Sequence, residues 1–351
     1  MDSILLGTKK YEVKKYNGIP AEAIEFLERI SWGSEGAVYV NLNMKNHIHE
    51  LTNPVLIAIL EEGRIQGTTA FCHTQVRVSD KSYNCFYIKY FAASKEVRGK
   101  GVAKTITQKV MESIRDEEEE KTIYFACVEK ANKASYHVVK SSGYEELGTV
   151  KTIGFSRFFP KPCLEMENLT DPKEKEHILQ LLTEEYKEHV LVQFDAVFHN
   201  ENFYVIREGD EIVAACQYHR GHWKINQMKG LFGKFVMNFA GHLPLIGRIF
   251  NPQKFEFLAF EGIYFKPGYQ KKLHQLFEGL LYKEKVHSAM IWMGASCPVR
   301  ADIVNFGKLG LIHSFVKDSD VKVMASFKNL SEEEMEEVRD KPVYASAFDY
   351  V

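Results

Sequence analysis

The sequence predicts an α/β protein in which helices cover both faces of a mixed β-sheet. Segments with strand-like and helical periodicity alternate along the chain, and the series repeats once after a proline-rich break at residues 158–162. The length of 351 residues suits two domains better than one. We therefore expect related domains at residues 1–157 and 164–351, joined by a linker at residues 158–163.

The first half has the order helix, three strands, helix, strand, helix, strand. Apolar residues at helical spacing predict helices at residues 20–30, 102–115 and 132–142, the last of them ending before Gly143. Apolar or alternating runs predict strands at residues 55–60, 68–78, 84–93, 122–128 and 144–155.

The second half repeats much of this order. Its patterns predict helices at residues 174–185, 270–282 and 301–308, and strands at residues 164–166, 203–206, 211–218, 255–264, 289–293 and 321–327. Gly101 and Gly143 recur as Gly268 and Gly310, both 167 residues later. A turn glycine and a helix-ending glycine repeated at one spacing indicate an internal duplication.

An apolar segment at residues 230–250 interrupts the second copy, as part of an insertion near residues 220–254. Its only full charges are Lys234 and Arg248, and its length matches a membrane span. Four glycines and Pro244 break it, however, which favours a helix or loop packed between the domains. A lipid-contacting surface and a true span are the two alternatives, and we expect neither.

Composition excludes several classes of protein. The 45 basic and 47 acidic side chains give a net charge of −2, without the basic surplus that nucleic-acid binding requires. The six cysteines are scattered without a C-x-x-C pair, and His219 and His222 have no carboxylate or cysteine beside them in the sequence. We expect reduced cysteines, no metal, no signal peptide and a cytoplasmic location; the oligomeric state is left open.

Residues 98–103, Arg-Gly-Lys-Gly-Val-Ala, follow a predicted strand and open a predicted helix. Gly99 and Gly101 let backbone N–H groups approach a ligand closely, and successive N–H groups form an anion-binding nest. The helix beginning near Val102 adds its unpaired N–H groups, while Ala103 leaves room and Lys100 adds positive charge. The segment therefore predicts a diphosphate site.

These residues resemble the Gcn5-related N-acetyltransferase (GNAT) superfamily, whose signature is Gln/Arg-x-x-Gly-x-Gly/Ala. The resemblance covers residues 20–156 and includes a second signature, from Asn132 to Gly143-Tyr144. It implies two tandem acyl-CoA N-acyltransferase-like domains, the second one degenerate. It also implies that coenzyme A is bound by a defined set of residues: Phe91, Ala92, Ala93, Arg98, Gly99, Lys100, Gly101, Val102, Ala103, Asn132 and Ser135. For Asn132, an ordinary helix cap is the alternative.

The resemblance implies an enzyme that transfers an acyl group, most simply acetyl from acetyl-CoA, to a primary amine of a small molecule or peptide. The tyrosine that often protonates the leaving thiolate falls on Val139 here, and Tyr136 is the candidate that remains. Tyr136 has the alternative of a packed aromatic residue. No glutamate base lies on the strand at residues 84–90, so a non-catalytic acyl-CoA sensor is the alternative function.

The second copy lacks the phosphate-binding pattern. Phe265 and Gln270 stand where Arg98 and Ala103 would repeat, and Pro267 removes a backbone donor. We therefore predict that this half does not bind coenzyme A and instead shapes the acceptor site. Four of its polar residues are candidates for lining a cleft between the domains, or else are ordinary core and surface residues: His219, His222, Glu256 and Glu261.

Overall fold

A computed structural model describes residues 2–8, 10–33, 37–97, 102–239, 243–316 and 319–350. The elements of the first half are, in chain order, β1 (Ser3–Gly7), β2 (Glu12–Asn17), α1 (Ala21–Glu28), β3 (Ala37–Asn41), α2 (Met44–His49), β4 (Pro54–Glu61), β5 (Arg64–Val78), β6 (Lys81–Ala93), α3 (Val102–Asp116), β7 (Thr122–Glu129), α4 (Lys133–Ser141) and β8 (Glu145–Ser156).

The second half continues with β9 (Met166–Asn168), α5 (Pro172–Glu185), β10 (Val190–Val192), a 3-10 turn (His199–Glu201), β11 (Phe203–Glu208), β12 (Glu211–Met228), α6 (Gly230–Phe239), α7 (Ile246–Ile249), β13 (Phe255–Phe265), α8 (Gln270–Glu284), β14 (Ser288–Gly294), α9 (Pro298–Phe306), α10 (Leu311–Val316), β15 (Asp320–Lys328), α11 (Glu332–Asp340) and a 3-10 turn (Ala347–Tyr350).

One continuous sheet runs through both halves, in the order β1-β2-β4-β5-β6-β7-β15-β8-β14-β13-β12-β11-β9. Neighbouring strands are antiparallel except for β6 with β7 and β13 with β14. Parallel neighbours need a crossover connection, and a helix supplies it in each half: α3 in the first and α8 in the second. The two halves thus share one topology around their parallel pair.

The last strand of each half is exchanged with the other half. β15 lies between β7 and β8, and β8 lies between β15 and β14. Outward from the β15–β8 pair, the strands therefore correspond one to one as far as β2 on one side and β9 on the other, and β1 lies beyond β2 without a counterpart on this path. This exchange joins the two halves through backbone hydrogen bonds at the centre of the sheet.

Side chains on the two faces of the sheet enter different cores. Along β7, Tyr124 packs with Val110 and Met111 of α3, whereas Ile123 and Phe125 pack in a core shared with the second half. A further core in the second half is closed by apolar residues of α5 and α8. The predicted fold class, a mixed sheet with helices on both faces, is confirmed.

Local differences from the predicted elements have simple causes. The helix expected at residues 301–308 is α9, which begins at Pro298 because proline suits a first helical turn. The strand expected at residues 164–166 is β9, which begins at Met166. Segments whose apolar pattern is too short to read were missed: β1, β2, β3, α2, β10, α10 and α11.

The apolar segment at residues 230–250 forms α6 and α7 between β12 and β13. Val236, Ile249 and Phe250 are buried in the core that the two halves share. This is the packed arrangement that the glycines and Pro244 indicated. Within the part of the chain that the structure describes, no helix is long and apolar enough to cross a membrane.

Candidate functional site

The parallel strands β6 and β7 separate at their carboxyl ends. Their ladder runs from the pair Asn84–Thr122 to the pair Ile88–Ala126 and stops there. Beyond that point β6 stays paired with β5, and β7 stays paired with β15. Because each strand follows its outer neighbour, a wedge-shaped cleft, the first cleft, opens between them.

A β-bulge in β6 marks the start of the first cleft. Lys89 pairs with Ala70 and Ala92 pairs with Thr68, so β6 carries one residue more than β5 over this stretch. Tyr90 has a φ of 51°, and its carbonyl oxygen accepts a hydrogen bond from the Thr68 hydroxyl at 3.0 Å. Such a bulge bends its strand and increases the local twist. It thus accounts for the divergence of β6 from β7.

Three of the predicted coenzyme residues lie on the divergent part of β6. Phe91 and Ala93 are half-buried, and Ala92 is buried. Arg98, Gly99, Lys100 and Gly101 lie outside the described residues. Val102 and Ala103 are the first two residues of α3, which begins where the sequence predicted. As a crossover helix, α3 returns from the carboxyl end of β6, so its amino terminus lies at the open end of the first cleft.

The opposite wall of the first cleft continues from β7 into α4. The Asn132 side chain accepts a hydrogen bond from the Ser135 backbone N–H at 3.1 Å and thereby caps α4. The alternative that the sequence left open for Asn132, a helix cap, is thus present. A cap does not exclude a ligand contact, since Asn132 and Ser135 are only half-buried. Their contact with coenzyme stays a prediction.

Tyr136 is half-buried on α4 and packs against the core beneath α3. The Lys140 ammonium lies 5.9 Å from the centre of its ring, and the ring of His137 lies 6.0 Å away. Val139, at the usual position of the catalytic tyrosine, packs against the same core. The role of Tyr136 as an acid stays a prediction.

Comparison with known proteins bears on this arrangement. The model of the acetyltransferase (GNAT) family matches residues 23–144, which include the diverging strands, the turn and both helices. Residues 23–144 belong to the GNAT family. Among curated proteins, none is significantly similar to this chain in sequence.

Solved structures extend the likeness of fold to the whole chain. Saccharomyces cerevisiae N-myristoyltransferase with bound myristoyl-CoA has a TM-score of 0.62 at 8% identity, over 98% of this chain and 91% of that one. A GCN5-related N-acetyltransferase from Anabaena variabilis has a TM-score of 0.50 at 11% identity, over 89% and 72%. A probable N-acyltransferase from Enterococcus faecalis has a TM-score of 0.50 at 12% identity, over 90% and 72%. The fold is that of two GNAT-like units in tandem.

The second GNAT-like unit has kept the cleft geometry. The β13–β14 ladder stops at the pair Phe260–Ile291, and Gly262, two residues later, has a φ of 55°. Tyr90 likewise stands two residues after the last pair in the first unit. β13 also carries one extra residue opposite β12, between Glu261 and Tyr264. We call this opening the second cleft.

Protein side chains occupy the second cleft. The hydroxyl of Tyr186 donates a hydrogen bond to the carbonyl oxygen of Ile263 at 2.9 Å, and the hydroxyl of Tyr344 donates to the Glu261 carboxylate at 3.5 Å. Tyr344 belongs to the segment 342–350, which crosses this cleft. Both phenols are buried, and burial raises the pKa of each well above its usual value. The edge of the bulge is thus satisfied from within the chain.

The hydrogen-bonding groups of the turn that follows β13 also have partners within the chain. The Lys266 N–H donates to the carbonyl oxygen of Val213 at 3.0 Å, and the Tyr269 N–H donates to the carbonyl oxygen of Lys266 at 2.9 Å. Lys266 forms an ion pair with Glu211, and the Tyr269 hydroxyl donates to Glu208 at 3.0 Å. Two backbone donors and one cation are therefore already used in this turn.

A cavity with about 460 Å³ of empty space, part of it continuous with solvent, lies between the two units. β6 contributes Tyr87 and Lys89 to its wall, so it adjoins the strand that carries the bulge. The remaining lining comes from distant parts of the chain: Glu50, Leu51, Thr52, Cys72, Thr74, Gln193, Asp195, Ala196, His199, Glu261, Ser346 and Phe348. We call it the central cavity.

Basic side chains pack around the ring of Phe348 at the edge of the central cavity. The His47 ring stacks on it at 4.2 Å, the His199 ring meets it edge-on at 5.2 Å, and the Lys89 ammonium lies 5.1 Å from its centre. Burial lowers the pKa of His47 well below 6.5, with smaller contributions from Lys89 and the other two histidines. His47 is therefore neutral at pH 7.

Glu261 fixes the segment 342–350 at this place. Its side chain is 1% exposed and accepts from the Phe348 N–H at 3.2 Å and from the Tyr344 hydroxyl at 3.5 Å. Nε2 of His219 lies 3.0 Å from the same carboxylate. Of the four second-half candidates, Glu261 thus lines the central cavity, and His219 contacts the Glu261 carboxylate without lining the cavity itself. His222 and Glu256 face each other across β12 and β13 and are not among the lining residues.

Most residues of the central cavity could not be predicted from the sequence. Glu50, Lys89, Asp195 and Phe348 are far apart along the chain and belong to no local pattern. Within the described ranges, no group of three or more histidine, cysteine, aspartate or glutamate side chains is placed to hold a metal ion.

Proposed function

We propose that this protein transfers an acetyl group from acetyl-CoA to a primary amine of a small molecule or peptide. The observation that supports this most is the first cleft, which opens beside the amino terminus of α3 within the residues 23–144 that match the GNAT family. The coenzyme would lie along Phe91, Ala92 and Ala93, with its diphosphate at residues 98–103. Acyl-CoA is a co-substrate in this reaction.

The central cavity supports an amine as acceptor. Its Glu50 carboxylate accepts from the Asn200 amide at 3.1 Å, and its Asp195 carboxylate accepts from the Thr74 hydroxyl. Neither carboxylate forms an ion pair with any residue that the structure describes. Two carboxylates bonded only to neutral groups attract an ammonium group toward the cavity. The amine would then reach the thioester near Lys89 and the bulge at Tyr90.

The lining of the central cavity also bears on the acyl group. Most of its side chains are polar or charged, which suits a short acetyl group better than a long acyl chain. The yeast neighbour holds myristoyl-CoA, so acetyl-, octanoyl- and myristoyl-CoA belong in one donor panel. We expect acetyl-CoA to give the highest kcat/KM. A preference for myristoyl-CoA would overturn this assignment of the donor.

Charge reversal at matching helix positions tests where the coenzyme binds. Lys104→Glu places a carboxylate in the first turn of α3, and Lys271→Glu makes the same change 167 residues later in the first turn of α8. Lys271 is exposed, so the control does not threaten the fold. Titration calorimetry should show about a five- to tenfold weaker affinity for acetyl-CoA in Lys104→Glu and none in Lys271→Glu. Equal affinities would contradict the proposed site.

A stronger variant addresses the phosphate-binding turn itself. Arg98→Ala combined with Gly101→Asp removes a cation and adds an anion where the sequence places the diphosphate. We expect this variant to lose measurable acetyl-CoA binding while its thermal unfolding stays cooperative. Unchanged affinity would refute coenzyme binding at this turn.

A non-catalytic acyl-CoA-binding protein is the second candidate. It is favoured by Val139 at the usual place of the catalytic tyrosine and by the packing of Tyr136 against the core. Thiol release from acetyl-CoA, followed across a panel of amines, separates the two. Amine-dependent thiol release supports the enzyme, whereas tight acetyl-CoA binding without release on any amine supports the sensor.

A further inference from the structure

His199 is placed in the central cavity by the 3-10 turn between β10 and β11. Its ring packs edge-on against Phe348 at 5.2 Å and lies 6.3 Å from the ring of His219. Its own backbone carbonyl accepts from the Gln217 side chain at 2.8 Å. Backbone and ring are therefore both held in place, next to the wall formed by Lys89.

Nδ1 of His199 is buried and has no hydrogen-bond partner among the residues that the structure describes. A buried polar atom without a partner costs about 1–3 kcal/mol. His199 also lines the central cavity, so its imidazole ring borders the space in which an acceptor would lie. The described fold leaves one nitrogen of this ring without a hydrogen bond.

The carboxylates of the cavity already accept hydrogen bonds. Glu261 accepts hydrogen bonds from the Phe348 N–H and the Tyr344 hydroxyl, and Asp195 accepts from Thr74. Glu50 accepts from Asn200. Among the described residues of the lining, His199 is the histidine, and it combines a ring nitrogen without a hydrogen bond with a neutral form at pH 7.

The protonation state of His199 follows from its surroundings. Burial is the largest influence and lowers the pKa of His199 below 6.5, and His219 lowers it further. Glu50, Glu261 and Asp195 act in the opposite direction, and His47 and Lys89 also surround Phe348. The sum keeps the ring neutral at pH 7, so the imidazole can accept a proton.

We propose that the imidazole of His199 accepts the proton released by the attacking amine. The inference rests on the proposed acyl transfer. The amine nitrogen bonds to the thioester carbonyl carbon, the C–S bond breaks, and the sulfur leaves as the thiolate of coenzyme A. The ammonium of the tetrahedral intermediate gives its proton to His199. That proton then returns to the thiolate or to solvent, so the products are an amide and coenzyme A thiol.

The test compares His199→Gln with His222→Gln. His222 also has a buried ring nitrogen without a partner and a pKa lowered by burial, but it does not line the central cavity. We expect kcat/KM for the amine to fall about 100-fold in His199→Gln and to change less than twofold in His222→Gln. Acetyl-CoA affinity should be equal in the two variants and in the wild type.

The pH dependence of kcat/KM separates the two roles of His199, because a purely structural histidine would not change it. With methoxyamine, an acceptor that stays neutral near pH 6, the wild-type kcat/KM should fall on the acid side with an apparent pKa below 6.5. His199→Gln should lack this acid limb, and 4-methylimidazole should partly restore the rate of His199→Ala. A wild-type profile without the limb overturns the inference even if neither variant folds.

Different results would refute the proposed acyl transfer and the proposed role of His199. If the wild type releases no thiol with any amine, the proposed function is refuted. If it does release thiol but His199→Gln keeps its rate and its acid limb, the role of His199 alone is refuted.

Discussion

The packing of the segment 342–350 in the second cleft makes Gly294→Ala an informative substitution. A methyl group at Gly294, on β14, would lie 2.5 Å from the carbonyl oxygen of Val343. An ordinary contact is about 3.4 Å, so the two would have to separate by about 0.9 Å. The obstructing atom belongs to the backbone and cannot rotate away.

The size of the effect follows from what holds the segment. Val343 is bridged to Val190 of β10, and the Tyr344 N–H donates to the carbonyl oxygen of Val190 at 2.8 Å. Burial of Val343, Tyr344 and Phe348 stabilises the docked segment by about 1.5–3 kcal/mol per side chain. Detaching the segment would therefore cost more free energy than the strain of keeping it packed against the added methyl group, which is about 1–3 kcal/mol. We expect the segment to shift rather than detach.

Gly148→Ala is the matched control, because its added methyl group meets the same residue. At Gly148, on β8, the nearest atoms are the methyl carbons of Val343 at 3.3 and 3.4 Å. Side-chain methyl groups can give by a few tenths of an ångström. We therefore expect Gly148→Ala to change the free energy of unfolding by less than about 0.5 kcal/mol.

Urea denaturation, calorimetry with acetyl-CoA and thiol release together test this reasoning. Gly294→Ala should be less stable than Gly148→Ala by about 1–3 kcal/mol. Its kcat/KM for the amine should fall several-fold, because a shift of the segment moves Phe348 and its hydrogen bond to Glu261. Acetyl-CoA affinity should not change. Equal stability of the two variants, or a parallel loss of acetyl-CoA affinity, would refute the reasoning.

Two further substitutions test contacts of the first unit. Hydrogen bonds from Lys121, and from the backbone at the start of α11, hold the pKa of Glu334 at about 2. The ionised carboxylate therefore stabilises the fold above pH 4.5, and this contribution is lost as the pH falls toward 2. Glu334→Gln should cost about 1 kcal/mol at pH 7 and less at pH 3.5, measured by urea denaturation at both values; a cost that does not depend on pH would contradict this. Thr68→Val removes the hydroxyl that bonds to the Tyr90 carbonyl, and should lower acetyl-CoA affinity several-fold and stability by about 1 kcal/mol. Thr69→Val is its control, since Thr69 is a buried neighbour whose hydroxyl makes no hydrogen bond that the structure describes; equal effects of the two changes would exclude a special role for the bulge.

The elements that the sequence predicted share a local cause. Gly143 follows the C-cap of α4 with a φ of 84°, the left-handed conformation that glycine adopts readily. Gly310 has a φ of 94°, but the helix-ending role predicted for it is wrong, because α9 ends at Phe306 and Gly310 directly precedes α10. Helix α3 and the strands around it were readable because apolar residues repeat at regular spacing over ten residues or more. Such patterns depend only on neighbouring residues in the sequence, so they can be recognised before the fold is known.

Those local patterns could not predict the exchange of β8 and β15. Each strand has the same apolar pattern whether it pairs within its own half or with the other one. The contact between His219 and Glu261 shows the same limit at a smaller scale. Both residues were singled out, but their positions, 42 residues apart on β12 and β13, meet only through strand register. The central cavity combines several such contacts, so no local pattern could indicate it.

The two clefts explain why duplicated strands with one geometry can serve different purposes. A bulge turns backbone groups of its strand toward the opening, and such groups need hydrogen-bond partners. In the second cleft the phenol of Tyr186 bonds to the carbonyl oxygen of Ile263, and the buried phenol of Tyr344 bonds to the Glu261 carboxylate. A pantetheine arm would have to displace both phenols and leave them buried without partners, at about 1–3 kcal/mol each. It would also meet a closed turn at Lys266. The loss of the glycine-rich turn is therefore one of three obstacles to coenzyme binding in the second unit, and restoring that turn alone would not restore the site.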